Sequence, residues 1–105
     1  MVDAIEDKIK GKVPICIRKD YIMYLEFFRE HLWFHININR WTAEIKRSCQ
    51  RDFALVQDLI DKPIVALVRE DDIKLIKFAQ SNGWLEKCQI VLLDGSKAFI
   101  YASKA

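Results

Sequence analysis

The sequence predicts an α+β domain: a mixed β-sheet carrying two amphipathic helices, in the order β-β-β-α-β-α-β-β. Three observations predict it. Period-two and wholly apolar segments alternate with two stretches of helical periodicity. Turn and capping residues fall between them rather than inside them. The chain has 105 residues, 51% of them hydrophobic, with three Gly and two Pro, which suits one domain with a real core and excludes disorder or a linker-rich array. Residues 1–105 are read as a single domain, in which residues 1–12 form a polar lead-in with at most one turn of helix.

The first strand is expected from Val13, where Val13, Ile15 and Ile17 alternate with Pro14, Cys16 and Arg18. Pro14 lacks an amide donor, so this strand should start there or lie on a sheet edge. Tyr21 to Phe28 fits both periods: Tyr21, Tyr24, Leu25, Phe28 and Leu32 have helical spacing, while the aromatic content favours a strand. Leu32, Phe34, Ile36 and Ile38 then alternate with Trp33, His35 and Asn37, which is a strand pattern.

Thr42 offers an N-cap oxygen, and Glu44 suits the positive end of the helix that follows. Ile45, Cys49, Phe53, Val56 and Ile60 make its apolar stripe, opposite Lys46, Arg47, Gln50, Arg51 and Asp58. Pro63 stops it. The continuous run from Ile64 to Val68 reads as a central strand covered on both faces. Asp71 or Asp72 should cap the second helix, with Ile73, Leu75, Ile76, Phe78 and Ala79 inside, and Asn82-Gly83 should close it. Two last strands, Cys88 to Leu93 and Lys97 to Ala102, flank the hairpin signal Asp94-Gly95. The helix between the third and fourth strands should make that pair parallel.

Charge narrows the function classes only slightly. The formal net charge is +2, which neither demands nor excludes an anionic partner. No apolar run approaches the roughly 20 residues needed to span a bilayer, and no export signal is apparent, so a cytoplasmic location is expected. Cys16, Cys49 and Cys88 form no CxxC pair or His/Cys cluster. They are read as reduced thiols, each buried like a small hydrophobe, and no metal site is expected.

From Leu32 to Tyr101, about two thirds of the chain, the order of elements resembles the GCN5-related N-acetyltransferase (GNAT) superfamily. The most specific stretch runs from Asp72 through Asn82-Gly83-Trp84, which resembles the family's Asn-led helix ending in Gly-aromatic. The chain is similar in particular to small phage-encoded GNAT-like proteins, including internal virion proteins of short-tailed phages. That resemblance implies host cytoplasm or virion as the setting. It also implies that the turn after the third strand, Arg40-Trp41-Thr42-Ala43-Glu44, would hold a coenzyme A pyrophosphate at a helix N-terminus.

Three departures from the family pattern stand out. Ala43 and Ile45 occupy positions of two small, mostly glycine residues, and Glu44 adds a negative charge beside the phosphate site. Ala79 stands where many members have the Tyr that protonates the departing thiolate, and alanine has no proton to give. Too few residues precede Val13 for the family's usual strand and two helices.

The residues therefore support three readings. The first is a GNAT-like protein with an eroded coenzyme loop, needing no cofactor and acting through protein contacts. Trp33, Trp41, Trp84, Tyr21 and Tyr24 could supply an aromatic patch, with Trp41 expected to be exposed. The second is a minimal N-acyltransferase using acetyl-CoA, with Arg40 on the pyrophosphate and Glu30 or His35 as candidate base. Glu26 and His31 belong to the same pool of titratable groups. The third is a nucleic-acid-binding module using Lys46, Arg47 and Arg51.

Overall fold

The computed structural model describes residues 11–104. Six strands form one mixed sheet: β1 (Lys12–Ile17), β2 (Tyr21–Phe28), β3 (His31–Ile38), β4 (Ile64–Arg69), β5 (Leu85–Val91) and β6 (Lys97–Ala102). Helix α1 (Ala43–Leu59) joins β3 to β4, and α2 (Ile73–Ser81) joins β4 to β5. The strands lie in the order β1-β2-β3-β4-β6-β5. Only β3 and β4 are parallel neighbours; the other pairs are antiparallel. Element order, the strand over Tyr21–Phe28 and the parallel pair agree with the sequence reading.

Both helices cover one face of the sheet. Phe34 from β3 meets Phe53 of α1 edge-on at 5.3 Å and stacks on Phe78 of α2 at 5.2 Å, and Trp84 closes the group against Phe53 at 4.9 Å. Around these rings lie Met23, Leu25, Leu32, Ile64 and Val68, all essentially inaccessible to water. Four aromatic side chains, three from β3, α1 and α2 and one from the connection before β5, thus fix how the helices sit on the sheet, through large buried areas and preferred ring geometries.

Local chemistry sets the ends of the elements. Thr42 Oγ1 accepts from Ile45 N at 3.1 Å to start α1, and Asp72 Oδ1 accepts from Leu75 N at 3.2 Å to start α2. Asn82 caps α2, and Gly83 follows at φ 72°, a conformation that glycine takes without steric cost. The β2–β3 connection is a two-residue turn, because Phe28 pairs with His31. Its central residues, Arg29 at φ 51° and Glu30 at φ 67°, sit in the left-handed region without glycine's freedom.

Several expectations are corrected. A bulge between Pro14 and Cys16 breaks the alternation in β1, so Cys16 aligns with buried Met23 while Ile17 faces water. As expected, β1 is a sheet edge. The run Ile64–Val68 is covered on one face only: Ile64, Ala66 and Val68 are buried, but Leu67 is 42% exposed on the other side. Ile73 is the first residue of α2, as expected, but it is exposed to water rather than packed on the core. The last hairpin turns through Leu93-Asp94-Gly95, with Gly95 N bonded to Leu92 O and Leu92 N to Ser96 O, so it is not a two-residue turn. Of the three free thiols only Cys49 is buried; Cys16 is partly covered and Cys88 exposed. The polar lead-in read at residues 1–12 lies outside the described residues up to position 10, and Lys12 begins β1.

Candidate functional site

The parallel pair is joined at one end only. Leu32 pairs with Ile64 and Trp33 with Val65, and beyond those two steps β3 and β4 diverge. The divergence opens a cleft of about 220 Å³ toward the C-terminal ends of the strands, lined by Ile36, Asn37, Ile38, Asp72, Lys74 and Leu75. Lys74 reaches across it from α2, its ammonium donating to the Ile38 carbonyl at 3.4 Å. A strand carbonyl that a ligand in the cleft would meet is thereby already engaged.

At the head of α1 the predicted phosphate turn is present but altered. Arg40 is 70% exposed and its guanidinium lies 3.5 Å from the Asp20 carboxylate, which offsets the charge a phosphate would need. Thr42 serves the helix itself, through Oγ1 to Ile45 N and its carbonyl to Lys46 N at 2.9 Å. That leaves the amides of Ala43 and Glu44 as the pair an anion would meet. Their own turn carries the Glu44 carboxylate, which suits the helix dipole and repels phosphate. Ile45 is buried and Trp41 is half-buried against the core, correcting the expectation that Trp41 is exposed. Ala79 is 1% exposed inside the core. These residues do not fit a coenzyme A pyrophosphate.

The candidate bases lie on the sheet face that the helices leave open. His35 Nε2 is 3.0 Å from Glu26 Oε1, and both side chains are about one third exposed. His35 stands two residues past the last parallel pairing, beside the start of the divergence. Glu30, the other candidate, is not part of this pair; it sits in the strained hairpin at the far end of β3. His31 is placed there too, edge-on to Trp33 at 6.4 Å.

That far end carries the larger concavity, about 530 Å³, which sequence reasoning missed. Its apolar floor comes from Trp33, Pro63, Val65, Ile100 and Ala102. Trp33 is held in place by its indole N–H donating to the Phe28 carbonyl at 3.0 Å. Lys62, Lys87 and Lys104 stand around it, with Glu30 and His31 at one side. Gln57 fixes this rim by donating to the carbonyls of Ile60 and Lys62 at 2.8 and 2.9 Å, while Ser103 Oγ accepts from Ile64 N and donates to Gln57. The missed signal was faint: Trp33, Val65 and Ile100 are distant in sequence and meet only through strand order.

A second cluster was also missed, beneath α1. Asp52 is 8% exposed and accepts a two-pronged bond from Arg18, at 2.9 Å to each oxygen. Tyr21 Oη and Cys16 Sγ donate to the same carboxylate, and Ser48 Oγ lies 2.6 Å from the Tyr21 hydroxyl. The Arg18 hydrogen bonds, with help from Tyr21 and Cys16, hold the Asp52 carboxyl at about 2. Burial first, then the Asp52 charge, pushes Cys49 up to about 12, while burial and then the hydrogen bond to Asp52 raise Cys16 and Tyr21. The thiols are therefore kept protonated, the opposite of what a nucleophilic cysteine needs. This cluster fastens α1 to the sheet. Its sequence signal was an acidic residue on the buried side of the helix, between Cys49 and Phe53.

Comparison with solved structures places the architecture. A protein described as a GnaT-family acetyltransferase from Bordetella pertussis superposes with a TM-score of 0.64 at 13% identity, over 82% of this chain and 57% of that one. The fold is that of the GNAT acetyltransferases. A spermidine N-acetyltransferase SpeG chimera from Vibrio cholerae and hSSAT gives 0.66 at 12% identity, over 96% of this chain and 70% of the chimera. The chain thus spans little more than half of the Bordetella protein's length. No protein-family model and no curated protein matches the sequence. Within the GNAT fold, the head of α1 is the element for which the sequence resemblance implied a coenzyme A pyrophosphate. Among the described residues no group of His, Cys, Asp or Glu could hold a metal, and no helix is long and apolar enough to cross a membrane.

Proposed function

We propose that this chain uses the GNAT fold as a binding domain, contacting another protein rather than transferring an acetyl group. The observation that carries the reading is the state of the cleft between β3 and β4. Lys74 occupies the Ile38 carbonyl there, and the nearby Arg40 is matched by Asp20. Asp20 lowers the attraction for a phosphate, and Glu44 opposes it further. The exposed Phe28 and Leu67, together with the apolar concavity around Trp33, supply the contact surface. The resemblance to small phage proteins gives host cytoplasm or virion as its setting.

Isothermal calorimetry with acetyl-CoA and coenzyme A tests this. The expected result is no binding tighter than about millimolar; micromolar affinity overturns the reading.

The His35–Glu26 pair favours a second reading, N-acyl transfer to an amine. A carboxylate beside the imidazole fixes the orientation of the ring, which is what a general base requires. Acetyl transfer to a polyamine or peptide amine that falls at least about a hundredfold in His35→Gln would establish it. No transfer by the intact protein would exclude it for those acceptors.

A further inference from the structure

We infer that the concavity on the open sheet face is a seat for an acidic protein segment carrying a few apolar side chains. The inference rests on the binding-domain reading and adds the chemistry of the partner.

The floor and the rim make different demands. Trp33, Val65 and Ile100 form a floor that removes apolar side chains from water. The Trp33 indole is already fixed by its bond to the Phe28 carbonyl, so little side-chain freedom remains to be lost on binding. Large, pre-positioned aromatics of this kind dominate binding energy at protein interfaces. The rim is cationic: Lys62, Lys87 and Lys104 line the concavity, and among the described residues Glu30 is the one carboxylate in the lining. Lys104 also meets Asp61 at 3.1 Å, on a fully exposed carboxylate that a partner's own acid can replace.

Charge complementarity therefore selects carboxylates beside apolar anchors and disfavours a basic segment. It also disfavours a second copy of this chain seated through the same face, which would bring two lysine rims together. The rim is rigid where it matters, because Gln57 and Ser103 hold the backbone from Ile60 to Ile64.

The test uses the whole chain and two fluorescein-labelled peptides with the same Leu-Phe-Leu centre, one flanked by glutamates and the other by lysines. Fluorescence anisotropy should show the acidic peptide binding at least about tenfold more tightly than the basic one. Its affinity should fall several-fold between about 50 and about 300 mM salt. In the double variant Lys87→Glu with Lys104→Glu, both changes on the surface, the preference should invert. Trp33→Ala should weaken the acidic peptide by about tenfold or more, with circular dichroism confirming the fold.

Equal binding of the two peptides overturns the inference, as does a preference that survives the double charge reversal. Dimerisation that is lost in Trp33→Ala, seen by sedimentation, overturns it by giving the seat to a second copy. Acetyl-CoA titration in parallel separates the two proposals. Micromolar coenzyme binding with the peptide preference intact removes the binding-domain reading alone. Loss of the preference without coenzyme binding removes the acidic seat alone.

Discussion

The two faces of the sheet are built on opposite principles. On the helical face, Phe34, Phe53, Phe78 and Trp84 interlock and the carboxylate of Asp52 is fully engaged by Arg18, Tyr21 and Cys16. On the open face, Trp33, Val65, Leu67 and Ile100 stand half-covered or exposed, and the charged groups ring the apolar floor instead of being buried in it. The first face resists change because packing and polar satisfaction constrain each other. The second has little of its stability at stake and is correspondingly free to bind. A difference of this kind separates where a protein holds itself together from where it meets something else.

The comparison breaks most severely in the aromatic group. Phe78→Ala leaves a cavity between α2 and β3 and should lower unfolding free energy by about 3–5 kcal/mol in urea titration. A loss under about 1 kcal/mol would mean that the rings are not the fastening they look like.

Asp52 should come next. Asp52→Asn turns one acceptor oxygen into a donor facing Arg18 and should cost about 2 kcal/mol at neutral pH. The same group gives the fold an acid sensitivity. Its carboxyl is held at about 2 in the fold against 3.8 ordinarily, so its contribution is complete above about pH 4 and is lost as pH falls toward 2. Urea titrations of the wild type across that window should show the loss, and the Asn variant should lack that part of it. Identical pH profiles would remove Asp52 from the ledger.

A smaller effect, of opposite sign, is expected at the hairpin between the two faces. Replacing Arg29-Glu30 by Asn-Gly puts residues that tolerate positive φ into the turn and should raise stability by about 1–2 kcal/mol. No gain in thermal midpoint would show that those dihedrals carry no strain.

The smallest change belongs to the open face. Leu67→Ser should alter stability by less than about 0.5 kcal/mol, because the side chain is already in contact with water. A loss comparable to that of Phe78→Ala would mean the face is covered after all.

Much of the architecture was legible beforehand because its signals are local. Thr42 and Asp72 cap their helices with oxygens three residues from the amides they meet, and the stripe Ile45, Cys49, Phe53, Val56 identifies its own buried side. The bulge in β1 was not legible, since period-two alternation cannot show where one extra residue is inserted. Nor was the exposure of Leu67, because an apolar run looks the same whether one face or both are covered. Of the two candidate bases, His35 meets a carboxylate, that of Glu26, through the register of β2 on β3, and Glu30 lies apart in the hairpin turn. Arg40 found Asp20 instead of an open anion site.

By itself, then, the sequence determined the order of elements, the helix caps and the apolar stripes, because each depends on residues within a turn or two of one another. The tertiary structure alone decided that Asp52 meets Arg18 across 34 positions, that Lys74 reaches Ile38 across 36, and that Trp33, Val65 and Ile100 share one floor. Those meetings depend on strand order and register, which bring distant parts of the chain together and which no local period encodes.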